Sequence, residues 1–359
     1  MTTFRDRIAR IIAASGPMSV ADYMAACLFD PEAGYYTTRE PFGRAGDFIT
    51  APDVSQMFGE LLAVWLTMRW REAGSPANAI IAEIGPGRGT MMADMARIFR
   101  QLDSQMCAGA QFALIEISER LRQVQRKTLA GSSIDFGWFG AIDELPDGPL
   151  FIVGNEVFDA VPVRQFVKTK AGWRERCVGL DGNGRFRFVA GLTGADAALL
   201  PPDAAGAPEG AIAEIAPARE ALMETVCARI ASNGGAALFI DYGHLQPGTG
   251  DTLQALRGHA YDDVLAHPGE ADVTSHVDFA ALAAVASAHG LETELQAQGK
   301  FLLNLGLLER AGQLGAELDE TGRNRIRDAV ERLAGPDQMG ELFKVLAVTA
   351  PGGTAHAAD

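Results

Sequence analysis

Three polar side chains in the middle of the chain could do chemistry on a substrate nitrogen. Asn155, Glu156 and Asp159 come directly after residues 149–154, a short and almost wholly apolar stretch. Such a stretch is typical of a buried parallel strand, and ligands of α/β sheets bind beyond the carboxyl ends of their strands. One amide and two carboxylates there could hold a nitrogen and direct its lone pair. Asn155 and Asp159 could instead cap the backbone of a turn, whereas Glu156 has no evident part in forming one.

A glycine-rich loop upstream predicts a nucleotide-like cofactor. Gly85, Gly87 and Gly89 follow another apolar run, and a stretch compatible with a helix begins at Thr90. Glycine permits the tight turn and lets a ligand approach the backbone. A dinucleotide fingerprint would read G-x-G-x-x-G, but Thr90 stands where its last glycine would fall. Glu83 suits a cation better than a pyrophosphate. The loop therefore favours the methyl donor S-adenosylmethionine (SAM) over NAD, and a tight turn without a ligand is the alternative.

Two more carboxylates extend this interpretation. The stretch 112–118 is predicted to contain the next buried strand, which ends in Glu116, and Glu116 is placed to bind the ribose hydroxyls that SAM and NAD share. Ser118 is expected to cap a helix over residues 119–130. Asp135 opens a third short strand and is assigned to the adenine end of the cofactor, although a solvated carboxylate is the commoner case.

The composition indicates a soluble enzyme and disfavours nucleic-acid binding. Acidic residues outnumber basic ones by 46 to 31, and the resulting net charge of −15 would repel phosphates. No apolar segment reaches the ~20 residues of a membrane span. The amphipathic first helix differs from a secretory signal, and a transit peptide is the less favoured interpretation. We therefore expect a cytoplasmic protein, whose acidic surface would suit a cationic protein substrate.

The cysteines and histidines predict no metal cofactor. The cysteines lack C-x-x-C spacing and the histidines lack an H-E-x-x-H pattern, so we expect reduced, mostly buried thiols. The cysteines are Cys27, Cys107, Cys177 and Cys227.

The elements that must position these residues divide the chain into consecutive segments. The segments are 1–75, helical and on the substrate side; 76–244, the nucleotide core with an inserted β-ribbon at about 163–210; 245–300, a loop-rich insertion that completes the substrate cleft and returns to the core; and 301–359, a helical pair, the final core strand and a disordered tail. Residues 181–184 read Asp-Gly-Asn-Gly, a strong hairpin signal. A helix is predicted over about 211–232, and little regular structure over 244–276.

Taken together, the motifs resemble the MidA-type SAM-dependent methyltransferases, whose mitochondrial members are assembly factors of respiratory complex I. The matching stretches are long and unusual, and they extend over nearly the whole chain. They are residues 46–60, 83–89, 154–162, 239–244, 272–279 and 298–302. The resemblance implies an α/β fold with a class I (Rossmann-like) methyltransferase core, an N-terminal helical segment, and inserted β-hairpin, loop and helical elaborations. For the mitochondrial members it implies methylation of an arginine on a complex I subunit, with S-adenosylhomocysteine as the product of the donor.

If the acceptor is arginine, the polar residues receive definite roles. Glu156 and Asp159 are expected to pair with the planar guanidinium and to localise its charge, while His276 or Asp278 receives the proton. A hydrogen-bonded loop histidine is the alternative for His276. Catalysis would come chiefly from holding the reactants at near-attack distance. The residues assigned to substrate binding are Phe48, Thr50, Asp241, Tyr242 and Asp278, and those assigned to SAM are Glu83, Gly85, Gly87, Gly89, Glu116, Asp135 and Asn155.

Other functions stay open at this point. A small-molecule methyltransferase would share every cofactor feature and differ only in the pocket above the methyl group. An assembly chaperone with a vestigial SAM site would keep the glycine loop and could lack the carboxylates around Glu156. A NAD-dependent oxidoreductase is disfavoured by the glycine spacing.

Overall fold

A computed structural model describes residues 3–39 and 50–351, so the predicted substrate residue Phe48 lies outside the described residues. The helices in chain order are α1 Phe4–Ser15, α2 Val20–Phe29, α3 Tyr35–Thr38, α4 Ala51–Val54, α5 Gln56–Glu72, α6 Thr90–Leu102, α7 Ser104–Gly109, α8 Glu119–Leu129, α9 Pro217–Asn233, α10 Phe279–Ala288, α11 Gln298–Asn304, α12 Leu307–Gly315, α13 Glu320–Ala334 and α14 Met339–Leu342. The strands are β1 Met18–Ser19, β2 Ile80–Ile84, β3 Gln111–Ile115, β4 Phe136–Phe139, β5 Leu150–Asn155, β6 Arg164–Thr169, β7 Gly172–Leu180, β8 Phe186–Gly194, β9 Ile212–Ile215, β10 Gly235–His244, β11 Gln254–Arg257, β12 Ala260–Asp262, β13 Asp272–Thr274, β14 Val277–Asp278, β15 Glu292–Ala297 and β16 Phe343–Thr349.

The chain folds into two compact units, each assembled from separate stretches of sequence. The first, here called the core unit, comprises Ile49–Val157, Leu222–Leu245 and Phe279–Asp359. The other, here called the second unit, comprises Met1–Phe48, Phe158–Ala221 and Gln246–Asp278. The consecutive segments expected from the sequence cut across this division, and their boundaries stay a prediction.

One sheet organises the core unit. Its strands lie in the order β15-β16-β10-β5-β2-β3-β4. The five strands from β4 to β10 are parallel to one another, whereas β16 is antiparallel to both β10 and β15. The chain order reverses between β2 and β5, and ligands of open α/β sheets bind at such a switch point. The predicted Rossmann-like α/β core is thereby confirmed.

The parallel register brings the carboxyl ends of β2, β3, β5 and β10 to one edge of this sheet. Ile84 at the end of β2 pairs with Ile115 of β3 and with Gly154 of β5. Ile240 of β10 pairs in turn with Asn155, the last residue of β5. The turns that follow β2, β3 and β5, together with the last residues of β10, therefore share this carboxyl edge.

The second unit is built from antiparallel strands. Its larger sheet has the order β1-β7-β6-β9, with β8 paired to β7, and its smaller sheet has the order β12-β11-β13. The predicted Asp-Gly-Asn-Gly turn joins β7 to β8, where Gly184 has a φ of +76° and Asp181 donates its N–H to the Arg185 carbonyl at 2.8 Å. Within the described chain, no helix combines the length and apolar character needed to cross a bilayer.

Two predictions of secondary structure were wrong in this region. The helix expected over 211–232 is preceded by β9, whose residues pair with β6, and it begins only at Pro217. Proline lacks an N–H and suits the first turn of a helix, where no intrahelical partner exists. The segment 244–276 contains β11, β12 and β13 in place of irregular structure. In both segments, pairing with a distant strand outweighs the local sequence pattern.

A buried carboxylate connects three helices of the core unit. Glu60 of α5 has 2% of its surface exposed, and its oxygens accept hydrogen bonds from Arg97 of α6 at 2.7 Å and from Arg310 of α12 at 2.6 Å. Burial alone would raise the pKa of Glu60, but the two guanidinium groups outweigh it and hold the pKa below its ordinary value. Glu60 is therefore ionised at neutral pH and orders the helices on this side of the sheet.

Replacing this carboxylate should destabilise the fold. We expect Glu60→Gln to lower the free energy of unfolding by about 2 kcal/mol at neutral pH, because hydrogen bonds to charged groups are lost. Since the folded-state pKa of Glu60 is depressed, the ionised carboxylate stabilises above its unfolded pKa, and this contribution disappears as the pH falls through the folded pKa. Denaturant titrations at neutral and acid pH would measure the difference. Glu72→Gln, which affects an exposed pair with Arg69, is the control and should cost less than about 0.5 kcal/mol; equal losses would contradict the account.

Candidate active site

The glycine loop after β2 has a backbone that only glycine adopts readily. Gly85, Gly87 and Gly89 have φ values of +64°, +51° and +78°, in the left-handed region that side chains disfavour. A Cβ on Gly85 would lie 2.9 Å from Cγ2 of Val157. The loop therefore packs backbone against side chain, and Gly89 leads directly into α6.

Glu83 lies beneath this loop. Its carboxyl is 2% exposed and accepts a hydrogen bond from the N–H of Met92, in the first turn of α6. Burial raises the pKa of Glu83 well above its ordinary value, while Oε2 has no hydrogen-bond partner among the described residues. A nearby cation would favour the ionised carboxylate, so the residue fits the cationic ligand expected from the sequence.

Glu116 is joined to the glycine loop by a residue that sequence reasoning missed. The Nε2 group of Gln125 donates to the Gly87 carbonyl at 2.8 Å and to Oε2 of Glu116 at 3.2 Å. The other oxygen of Glu116 accepts the Ser118 N–H at 2.8 Å. Burial raises the pKa of Glu116. Gln125 thus fixes the positions of the loop and the carboxylate relative to each other.

The helical period contains a signal for Gln125. Leu121, Gln125 and Leu129 are the buried residues of α8 and recur at four-residue spacing on one face. A glutamine in such a series needs hydrogen-bond partners, because an unpaired buried amide is costly. Its Oε1 atom accepts a third bond, from Trp138 Nε1 at 2.9 Å.

The turn after β5 holds Glu156, which the sequence predicts to be catalytic. Glu156 is half-buried and has a φ of +54°, a strained conformation for a residue with a side chain. Its N–H donates to the Ile240 carbonyl at 2.9 Å, and its Oε1 atom accepts the Asn155 side-chain N–H at 2.9 Å. Asn155 Oδ1 has no hydrogen-bond partner in the part of the chain that the structure describes.

Asp241 stabilises this turn from the neighbouring strand. Its fully buried carboxylate accepts the Val157 N–H at 3.1 Å through Oδ2 and the Tyr242 N–H at 2.9 Å through Oδ1. Asp241 was predicted to bind substrate, whereas these contacts give it a structural task. Tyr242 packs its ring edge-on against Phe343, with 5.6 Å between the centroids, so part of its side chain is also used within the fold.

The glycine loop is also tied to the segment that carries Thr50. Arg88, between Gly87 and Gly89, forms an ion pair with Asp53 at 2.5 Å. Asp53 in turn lies 3.3 Å from the Thr50 hydroxyl at the start of α4. The structure therefore links the predicted substrate residue Thr50 to the cofactor loop through Arg88, whose charge sequence reasoning did not use.

The structure separates Asp135 from these residues. Phe136, the first residue of β4, pairs with Phe112 near the start of the parallel strand β3. Asp135 lines a surface cavity with Ile80 and Gln111, the first residues of β2 and β3. It therefore lies at the amino edge of the sheet, opposite the glycine loop, and this position does not support the predicted contact with adenine.

The remaining predicted residues belong to the second unit. Asp159 is 5% exposed and His276 is half-buried. The backbone carbonyls of both accept hydrogen bonds from the Arg219 side chain, at 3.2 and 2.7 Å. Burial raises the pKa of Glu220, and the nearby Asp278 adds to this effect. The structure therefore brings Asp159 and His276 to one place within this unit.

The carboxyl edge fits SAM on its own chemistry. Glu83 Oε2 and Asn155 Oδ1 have no hydrogen-bond partner among the described residues, and these acceptors suit the ammonium and amino donors of SAM. The glycines leave the loop backbone open to a ligand, since none of them carries a Cβ. No group of three or more His, Cys, Asp or Glu residues that could hold a metal occurs among the described residues. The fold and this edge together define a Rossmann-like SAM-dependent methyltransferase.

Comparison with known proteins agrees with this class. The family model described as "Putative S-adenosyl-L-methionine-dependent methyltransferase" matches residues 61–296, and the chain belongs to this family. The mitochondrial protein arginine methyltransferase NDUFAF7 of Danio rerio is 35% identical over 95% of this chain and 85% of its own length. The human protein of the same name is also 35% identical, over 94% and 81%. A crystal structure from Burkholderia thailandensis with bound S-adenosyl-homocysteine is 30% identical, with a TM-score of 0.82 over 98% of this chain and 94% of that one.

Adding one methyl group to the glycine loop should weaken cofactor binding. Gly85→Ala places a Cβ in contact with Val157 and in a disfavoured left-handed conformation, so we expect SAM to bind about ten-fold more weakly or worse. Isothermal titration would measure this affinity. The control is Gly131→Ala, where nothing lies within 4 Å of the new Cβ; equal affinity in the two variants would contradict the proposed site.

Glu156 should carry strain that glycine removes. Glu156→Gly relieves a left-handed conformation that costs a residue with a side chain about 1 kcal/mol, so the free energy of unfolding should not fall. Val157→Gly, one residue later and without a positive φ, should lose about 1 kcal/mol or more. Denaturant titrations followed by circular dichroism would compare the two, and an equal loss in both would show that Glu156 is unstrained.

Proposed function

We propose that this SAM-dependent methyltransferase acts on arginine side chains of a protein acceptor. The main observation behind the proposal is that the half-buried carboxylate of Glu156 lies at the carboxyl edge of the sheet. The relatives named protein arginine methyltransferases support it, since they align over nearly the whole chain. The net charge of −15 favours a basic acceptor segment and disfavours nucleic acid.

The chemistry of arginine explains why a carboxylate is needed. Bound SAM supplies an electrophilic methyl group. A guanidinium is planar, cationic and fully protonated at neutral pH, so its nitrogens are poor nucleophiles. A carboxylate that binds two of its N–H groups localises the positive charge away from the reacting nitrogen and fixes its direction. Glu156 is suited to this role, because the Asn155 amide orients its carboxylate and the Ile240 carbonyl holds its backbone.

The finer parts of the proposal concern the particular acceptor and the location of the enzyme. From the family resemblance we propose a subunit of respiratory complex I as the acceptor, and from the composition we propose a cytoplasmic location. The predicted roles of Asp159, His276 and Asp278 in guanidinium binding and proton transfer remain proposals of the same kind.

Labelled methyl transfer tests the acceptor and the role of Glu156 together. With methyl-labelled SAM and an extract of a strain that lacks this protein, the wild type should label a protein whose hydrolysate contains methylated arginine. Glu156→Gln should bind SAM nearly as tightly as the wild type and transfer no measurable label, since a neutral amide cannot localise the charge of a guanidinium. The exposed Glu292→Gln is the control and should retain full activity.

Each other result has a definite meaning. Label recovered only in small molecules would replace the protein acceptor by a small-molecule one. SAM binding without transfer to any fraction would indicate a chaperone with a vestigial site. Full transfer by Glu156→Gln would remove Glu156 from the mechanism. Labelled arginine in a protein that does not belong to complex I would refute only the finer proposal.

A further inference from the structure

Arg219 is a buried cation that binds the peptide backbone of two distant segments. It lies in the first turn of α9 and has 2% of its surface exposed. Its guanidinium donates to the carbonyls of Asp159 at 3.2 Å, Val161 at 3.1 Å and His276 at 2.7 Å. It also donates to the Ser275 hydroxyl at 2.5 Å and to the Ser275 carbonyl at 3.4 Å.

The segments that Arg219 joins are those of two predicted active-site residues. Residues 159–161 contain Asp159, and residues 275–276 contain His276. The Ser275 N–H also donates to the Asp159 carbonyl at 3.3 Å. The two segments therefore meet, and the guanidinium spans their meeting point with bonds to both.

The His276 peptide is held from both sides. Its carbonyl accepts from Arg219, while its N–H donates to the Thr252 hydroxyl at 2.9 Å. That hydroxyl is itself oriented, because it donates to Oε2 of Glu214 at 2.6 Å and so presents its lone pairs to His276. The position of the His276 backbone is thus determined by Arg219 and Thr252 together.

We propose that Arg219 is a positioning residue for methyl transfer, which fixes the segments of Asp159 and His276 relative to each other. The proposal rests on the roles proposed for those two residues. A planar guanidinium with five donors can satisfy several carbonyls at once, which an ammonium cannot do in the same geometry. Without it, carbonyls on both segments would lose a hydrogen bond, and the segments would shift.

The same helix supplies a matched control. Arg229, further along α9, donates to the carbonyls of Ile142 at 3.4 Å and Leu145 at 3.2 Å, and also to the Pro146 carbonyl. Those carbonyls belong to the connection between β4 and β5 in the core unit, which carries no proposed site residue. Arg219→Met and Arg229→Met therefore remove the same kind of bond from two places, only one of which involves predicted active-site segments.

Three measurements on the full-length variants test the proposal. Arg219→Met should keep its SAM affinity within about two-fold of the wild type, and its kcat for methyl transfer to the extract should fall about 100-fold, as expected when reacting groups are misplaced by about 1 Å. Arg219→Lys should recover part of that loss, since it restores charge and some donors. In hydrogen exchange, Arg219→Met should lose protection at residues 159–163 and 275–278.

The outcomes separate this proposal from the proposed function. Arg229→Met should keep kcat within about two-fold of the wild type, even where its melting temperature falls as far as that of Arg219→Met. An equal kcat loss in both variants, or unchanged exchange in both segments, would overturn the positioning role. If the wild type labels an acceptor other than arginine, the arginine proposal fails, and the kcat ratio still decides the role of Arg219. If the wild type labels nothing, the role in methyl transfer is refuted together with the proposed function, and the exchange data still show whether Arg219 fixes the two segments.

Discussion

The buried carboxylate of Asp241 stabilises the turn on which the candidate active site depends. It accepts the Val157 N–H across the sheet, next to the bond between the Glu156 N–H and Ile240. These bonds hold Glu156 in a left-handed conformation that the residue disfavours on its own. Val157 also lies close to Gly85, since a Cβ on Gly85 would come within 2.9 Å of Val157 Cγ2. Through Val157, the Asp241 carboxylate therefore connects the turn at Glu156 to the glycine loop.

The strained backbone of Glu156 indicates a functional residue, because other interactions of the fold must compensate for its cost in stability. A left-handed glutamate costs stability, and glycine would avoid that cost. The half-buried carboxylate of Glu156 instead occupies a sheet edge where ligands bind. The energetic argument and the position in the fold thus point to the same residue. Glu83 shows a related cost, since its carboxyl is buried beside the start of α6 and one of its oxygens has no hydrogen-bond partner within residues 3–39 and 50–351.

The sequence predicts the core well where single segments determine the structure, and less well elsewhere. Apolar runs and the glycine loop suffice for β2, β3 and β5, because buried parallel strands are apolar throughout. The sequence correctly places Asp135 at the start of a short strand, but the amino ends of parallel strands lie at the edge opposite the glycine loop, so its assignment to adenine lacks support. Gln125 bonds to the Gly87 carbonyl 38 residues away, and Arg219 bonds to the Asp159 carbonyl 60 residues away. The helical period indicates that Gln125 is buried, but no local pattern specifies these distant partners. The strand β9 likewise depends on pairing with β6.

The central claim is that SAM binds at the carboxyl edge of the core sheet, and hydrogen exchange with and without S-adenosylhomocysteine tests it most directly. The account predicts that the ligand slows exchange of the backbone amides in residues 85–89, 116–118 and 155–157. Residues 135–137, at the opposite edge, should exchange at the same rate in both samples. Protection of residues 135–137 without protection of the glycine loop would contradict the claim.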